Sequence, residues 1–450
     1  MPYDFDLFTL GGGSGGVAAS QHAAANGARV ALCEEKHIGG TCVHRGCIPK
    51  KLLFHAAHLH DAFEDAEGFG WSRPESRLDW KRLQAAKARE LERLEGGYRK
   101  RLQDAGVHLI EGRGRVVDAH TVEVKGERYT ARHLLVATGS HPSLPEVPGI
   151  EHALTSNEAL TLSELPRRMA IVGAGYIGVE FAGIFNALGV RVTLVLEQAR
   201  VLNGFDEDVR DALTQAMRAR GVDLWTGRHL REIEKSSSGS LRLHTREDDS
   251  LEVDVVLCAT GRVPHSQGLG LQEVGVRLDD KGAVMVDEHS RSSVESLYAV
   301  GDVTNRINLT PVAIAEGRAV AATLFGRGRH AVDHEGVASA VFSHPPVACV
   351  GLTEAEARER HGPVDVYVKR FSPLAHALSG REERVLVKVL VEPKGERVVG
   401  FHMVGEHAPE ILQGLAVALR CGVTKTQLDA TVSIHPTLAE EFVSLRDKRS

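Results

Sequence analysis

Twice in this sequence a short apolar run gives way to a cluster of glycines, then to a helical pattern that itself stops at a glycine. The first copy is Asp6-Leu7-Phe8-Thr9-Leu10, then Gly11-Gly12-Gly13-Ser14-Gly15-Gly16, then an alanine-rich helix as far as Asn26-Gly27. The second is Met169-Ala170-Ile171-Val172, then Gly173-Ala174-Gly175-Tyr176-Ile177-Gly178, then a helix as far as Leu188-Gly189. A further strand pattern follows each, over 28–33 and 190–196. A buried strand that turns on glycine into a helix and returns as a parallel strand is the β–α–β unit of a dinucleotide-binding fold. The chain is therefore expected to be α/β, with that unit present twice. Its glycines let the backbone approach a pyrophosphate at the helix N-terminus, where free N–H groups and the helix dipole favour anions. The plainer alternative is two tight turns that bind nothing.

Glu34 lies 23 residues after Gly11, at the end of the first unit's second strand, and suits a ribose 2′-hydroxyl. A merely solvated Glu is the alternative. Glu197 falls eight residues after Gly189, where Glu34 falls seven after Gly27. Because strand side chains alternate, that offset can turn Glu197 from the ribose while leaving its charge where a 2′-phosphate would lie. Asn203 is neutral, and Arg200 is the only cation expected nearby.

At 450 residues the chain suggests about three domains. Its net charge of −6 provides no basic face for nucleic acid and no polybasic membrane anchor. The N-terminus is acidic where a signal peptide would be positive, and no apolar run approaches a membrane span, so a cytoplasmic protein is expected. An exposed stretch is predicted over 68–79, followed by a charged helix from about Lys81 that Gly96-Gly97 should break or kink. Leu134-Leu135-Val136-Ala137-Thr138-Gly139 reads as another buried strand, and the proline-rich run 141–148 as a domain crossover. Ser236-Ser237-Ser238-Gly239-Ser240 reads as a hairpin turn. From Gly336 onward, alternating strands over 384–390 and 398–404 with two helices suggest a separate α+β domain.

Six cysteines are too few for a disulfide scaffold. Two of them stand close together, in Gly39-Gly40-Thr41-Cys42-Val43-His44-Arg45-Gly46-Cys47-Ile48-Pro49-Lys50-Lys51, directly after the first nucleotide unit. Cys-x4-Cys can close a small disulfide loop when a helix starts between its members. A helix N-terminus and nearby lysines would lower a thiol pKa there. No second Cys/His pair exists to complete a zinc site, so no metal is expected. Two unrelated buried thiols remain the plain alternative.

These residues resemble the glutathione-reductase-like family of FAD disulfide oxidoreductases, through Gly-Gly-Thr-Cys-x4-Cys-x-Pro-Lys, Ala299-Val300-Gly301-Asp302, Ala259-Thr260-Gly261-Arg262 and Ser433-Ile434-His435-Pro436-Thr437. The resemblance implies two Rossmann-like domains, for FAD and NAD(P), and a C-terminal α+β dimerisation domain. The corresponding boundaries are 1–143 for the FAD domain, 144–264 for the NAD(P) domain, 265–335 completing the FAD domain, and 336–450 for the interface. It also implies that Cys47 faces the flavin and Cys42 exchanges with a substrate disulfide. Lys50 and Glu180 are the implied ion pair beside flavin N5, Tyr176 gates the nicotinamide pocket, and Asp302 binds the ribityl chain with Thr310 near the pyrimidine. Gly11, Gly13, Ser14, Gly15, Gly16, Glu34, Thr41, Thr138, Gly139 and Arg262 complete the implied FAD site, and Gly173, Gly175, Gly178 and Glu197 the nicotinamide site. His435, oriented by Glu440 and supplied by the partner subunit of a homodimer, is the implied acid/base.

Within the family, Cys-Ile-Pro-Lys-Lys resembles glutathione and trypanothione reductases, and Ser14, Tyr98 and Arg318 match substrate-contacting positions. Gln21 departs from an arginine for the glycine carboxylate of glutathione. Glu197 and Asn203 depart from two arginines for the NADPH 2′-phosphate, and Gly178 stands where NADPH enzymes often carry Ala. The expectation is an NADH-favouring reductase of glutathione disulfide or a close derivative. Dihydrolipoamide dehydrogenase is the rival enzyme, and a non-catalytic FAD/NAD-binding redox sensor the rival of another class.

Overall fold

A computed structural model describes residues 3–72, 77–237 and 239–449. The chain divides into two compact units. The first is built from Met1–Leu52, Lys81–Ser143 and Gly261–His334. Its central strand, Phe5–Leu10, pairs in parallel with Val30–Glu34 on one side and Glu127–Val136 on the other. His108–Glu111 and Leu297–Ala299 extend the parallel sheet at its two ends. Leu7, Phe8, Leu134, Leu135 and Val136 are completely buried, as a sheet covered on both faces requires. Strand order reverses at Phe5–Leu10, so its carboxyl end, where the glycine cluster begins, is the point at which such sheets bind ligands.

Helix Ser14–Ala25 ends as the glycine predicted: Gly27 takes φ 84°, and the N–H of Ala28 reaches Ala23 O at 3.2 Å. Gly96-Gly97 breaks nothing. Trp80–Asp104 is one helix of 25 residues. Two glycines cost it about 2 kcal/mol against alanine. Tyr98 and Leu102 packed in the core beyond them, with Lys100–Asp104 paired at 2.8 Å, hold the far end in helix.

The second unit comprises Leu53–Trp80, Leu144–Thr260 and Glu335–Ser450. Here the parallel order is Asp223–Thr226, Arg191–Leu196, Arg168–Val172, Val255–Cys258, with helix Tyr176–Ala187 leaving the third strand through the second glycine cluster. Leu230–Lys235 and Leu241–Thr245 form the expected hairpin, although Ser238 of its turn lies outside the described residues, as do 73–76 of the stretch 68–79.

After Gly336 comes a five-stranded antiparallel sheet. Its strands Val385–Val391 and Val398–Val404 are buried at every position and do not alternate. The polar residues that suggested alternation are themselves buried: Lys388 bonds Asp206 at 2.8 Å, Asp208 at 2.6 Å and Glu354 at 2.8 Å, and His402 meets Leu352 O at 3.0 Å. Five helices, not two, accompany this sheet among the described residues. No helix is long and apolar enough to cross a membrane among those residues.

Candidate active site

The two glycine turns share one construction. A Cβ at Gly16 would lie 2.0 Å from Gly11 O, and one at Gly178 would lie 1.9 Å from Gly173 O. The last glycine of each cluster is thus required for the helix to pack on its own turn. The middle glycines differ: a Cβ at Gly13 or Gly175 would meet nothing within 4 Å. Open space lies before each helix N-terminus, which is what a pyrophosphate needs, so FAD and a nicotinamide dinucleotide fit these two turns. Gly16→Ala is expected to destabilise the first unit by about 1–3 kcal/mol. Flavin content and melting temperature check this, and an unchanged pair of values would show that the turn absorbs the methyl.

The cysteine segment is seated on the first turn. The N–H of Gly39 donates to Gly12 O at 2.8 Å, and a Cβ at Gly40 would come within 2.7 Å of Gly13 Cα. Cys42 lies in the short helix Gly40–His44, and Cys47 is the first residue of helix Cys47–Asp65. Cys47 Sγ is 3.6 Å from the hydroxyl of Thr310, which opens helix Thr310–Phe325. Cys42 is half-buried and Cys47 exposed. The Cys42 pKa is raised, not lowered as expected, first by its hydrogen bond with Cys47 and then by burial, against hydrogen bonds from Thr310 and Ser14. A thiol that shares its proton with a neighbouring sulfur is hard to ionise while that neighbour carries the charge. Cys33 and Cys258 are buried thiols pushed up to about 12, an inert environment.

Around this pair the first unit gathers the other expected residues. Glu34 accepts the Gly12 N–H at 2.7 Å and the Lys36 N–H at 2.8 Å, and a carboxylate with both bonds retains lone pairs for a ribose hydroxyl. The Thr138 hydroxyl donates to His265 O at 2.7 Å, and Gly139 takes φ 70°. Arg262 donates to the hydroxyl and carbonyl of Ser140 at 2.8 and 2.7 Å, and the Ser140 hydroxyl donates to Asp302 at 2.7 Å. Thr41 is exposed beside Cys42.

Glu316 was not anticipated. It is 1% exposed, accepts the Gly301 N–H at 2.7 Å, and pairs with Arg306 at 2.9 Å and His334 at 2.8 Å, fixing the turn that presents Asp302. The signal was one acidic residue inside the otherwise apolar first turns of Thr310–Phe325. Helices Ser14–Ala25 and Thr310–Phe325 cross where a Cβ on Gly317 would be 2.4 Å from Gly15 O. Half-buried Gln21 and exposed Arg318 lie on these two packed helices. Tyr98 is half-buried with the Arg101 guanidinium 4.5 Å from its ring centre.

In the second unit Tyr176 is 44% exposed at the start of its helix. One turn on, buried Glu180 accepts the Phe342 N–H at 2.9 Å. Lys50 is buried in the first turn of Cys47–Asp65 in the first unit. Glu197 and Asn203 are exposed after strand Arg191–Leu196. Arg200 is not the only cation there. Arg210 reaches Gln198 Oε1 and Val201 O, each at 3.0 Å, and pairs with Glu207 at 2.6 Å. Arg200 itself pairs with Asp211 at 3.0 Å and with Glu207. Arg210 escaped the reading because helix Glu207–Ala219 folds back to bring it to the strand end.

His435 Nδ1 lies 3.1 and 3.0 Å from the two Glu440 oxygens, and Glu440 is held below the usual carboxylate range, chiefly by that bond. The imidazole is 79% exposed, preceded by Val432 at 92% and Ile434 at 79%.

A family signature described as pyridine nucleotide-disulphide oxidoreductase matches residues 5–317, and its dimerisation domain matches 337–446. The chain is 49% identical to a glutathione reductase of Burkholderia cepacia, over 99% of both proteins. It is 48% identical to the chloroplastic/mitochondrial glutathione reductase of Pisum sativum, over 99% of this chain and 82% of that protein. Against a trypanothione reductase of Trypanosoma congolense the figure is 41%, over 99% of this chain and 96% of that protein. The chain belongs to the glutathione-reductase-like family of pyridine nucleotide-disulphide oxidoreductases.

Proposed function

We propose that this chain passes electrons from a nicotinamide, NADH in preference to NADPH, through FAD and the Cys42–Cys47 pair to glutathione disulfide or a close derivative. The observation that carries the reading is the cysteine segment seated on the first glycine turn, with Cys47 beside Thr310 at a helix N-terminus. Bound FAD would supply the hydride acceptor between nicotinamide and disulfide. Ser14, Thr138, Arg262 and Asp302 would hold it, with Lys50 and Glu180 beside its reactive edge.

In the reduced pair, Cys42 loses its proton to His435 of the partner subunit and attacks one sulfur of the substrate. The substrate S–S bond breaks, a Cys42–substrate disulfide forms, and the leaving thiolate takes the proton back from the imidazole. Cys47 then attacks Cys42, expelling the second thiolate and closing the Cys42–Cys47 disulfide. Near neutrality an imidazole is the side chain suited to take a proton from a thiol and return it to a leaving thiolate. The bare Val432–Ile434 segment supports a homodimer that covers it. Tyr98, Arg318, Gln21 and Ser14 would contact the substrate, and Gln21 can serve a carboxylate or an amide.

The nicotinamide preference rests on charge. Exposed Glu197 and Asn203 offer no cation to a 2′-phosphate, Arg200 is already paired with Asp211 and Glu207, and buried Arg210 is paired with Glu207. Two charge-assisted hydrogen bonds forgone, at about 1.5–3 kcal/mol each, correspond to roughly 100-fold or more. Comparing kcat/KM for NADH and NADPH with glutathione disulfide, its amide and lipoamide tests both halves. An NADPH preference defeats the first, and turnover of lipoamide alone defeats the second.

A further inference from the structure

Away from the sulfurs, two imidazoles converge on one carboxylate oxygen. His37 Nδ1 is 3.2 Å and His44 Nε2 is 3.5 Å from the same Glu95 Oε2. The two rings stack with centroids 4.6 Å apart, and the three ligand atoms lie within 4.8 Å of one another. We propose that His37, His44 and Glu95 form a binding site for a divalent cation of the zinc type.

Zinc takes nitrogen and carboxylate oxygen at about 2.0–2.1 Å in tetrahedral geometry, which sets ligand atoms about 3.3 Å apart. The two nitrogen–oxygen separations, 3.2 and 3.5 Å, bracket that value. Glu95 is also held as a metal-binding carboxylate should be: its other oxygen accepts the Ile38 N–H and the Arg99 Nε–H, both at 3.3 Å. Such outer bonds fix the carboxylate and leave Oε2 to face the imidazoles. His44 Nε2 meets a second oxygen as well, Ile38 O at 3.2 Å. That contact is given up when the nitrogen ligates, because a ring nitrogen bound to a cation carries no proton. His37, with its side chain 52% exposed, leaves an entry path and room for water as a fourth ligand.

The three residues come from separate parts of the first unit: the loop after Val30–Glu34, the short helix that carries Cys42, and helix Trp80–Asp104. A bound cation would therefore tie the cysteine-bearing turn to that helix. Sequence spacing conceals the site, because a His-x6-His pair with a glutamate 51 residues on matches no metal motif.

The test must exclude the sulfurs, which bind zinc when reduced. Flavin-loaded Cys42→Ser/Cys47→Ser protein is titrated with zinc chloride by calorimetry, and its zinc shell read by X-ray absorption. One zinc per chain is expected, with imidazole in the shell, and at least tenfold weaker binding after His37→Ala, His44→Asn or Glu95→Gln. His37→Ala changes an exposed side chain, and retained flavin reports that each variant is folded. Substoichiometric binding, or affinity unchanged across the three variants, overturns the site.

Discussion

Cys42→Ser is expected to lower disulfide reduction by about 10³-fold or more while leaving ferricyanide reduction by the nicotinamide, which needs no thiol, within about threefold. The reason lies in how the two sulfurs divide their work. Cys47 sits at a helix N-terminus beside the Thr310 hydroxyl, and Cys42 carries the shared proton at raised pKa. Serine at 42 keeps a hydrogen bond to Cys47 but cannot form a disulfide with the substrate, so the exchange stops while the nucleotide turns are untouched. Cys47→Ser should be equally inactive with disulfide, because the Cys42–substrate disulfide then has no internal thiol to resolve it. Stoichiometric trapping of one glutathione equivalent on Cys47→Ser, seen by mass, would distinguish the two variants. Disulfide turnover by Cys42→Ser within tenfold of the parent would remove this pair from the reaction.

What could be read in advance follows a physical line. The glycine turns, their capped helices and the cysteine segment are local: each is set by neighbours in sequence, and each strand–turn–helix lies where the pattern indicated. Buried polar clusters are not local. Lys388, in a strand expected to alternate, is buried because Asp206, Asp208 and Glu354 surround it, and carboxylates so distant in sequence leave no mark on the pattern. Arg210 and Glu316 were missed for the same reason, since each acts on a turn from a helix that folds back upon it. Gly96-Gly97 failed in the opposite sense. A local preference worth about 2 kcal/mol yielded to a helix packed beyond it. The Cys42 pKa shows a third limit, because helix-terminus reasoning treats one thiol at a time and a coupled pair holds its proton in common.

His435→Gln is expected to lower kcat/KM for disulfide by about 10²–10⁴-fold, the usual contribution of a positioned acid/base. Glu440→Gln, which removes only the carboxylate that orients the ring, should cost about tenfold and alter the pH profile, since Glu440 acts as a positioning residue. The imidazole is almost bare in one chain, as are the side chains of Val432 and Ile434 just before it, so the decisive question is whose cysteines it serves. Mixing subunits answers it. Take Cys42→Ser chains and His435→Gln chains, each inactive alone, and let them exchange. If the imidazole works across the interface, every mixed dimer has one site with both cysteines and histidine intact and one site that lacks Cys42 and the histidine. Half the dimers are mixed and half their sites work, so about a quarter of parental activity should return. If His435 serves the cysteines of its own chain, no mixed dimer contains an intact site and nothing returns. Failure to recover activity in dimers shown by mass to be mixed would therefore reject the shared site, whatever the single variants do.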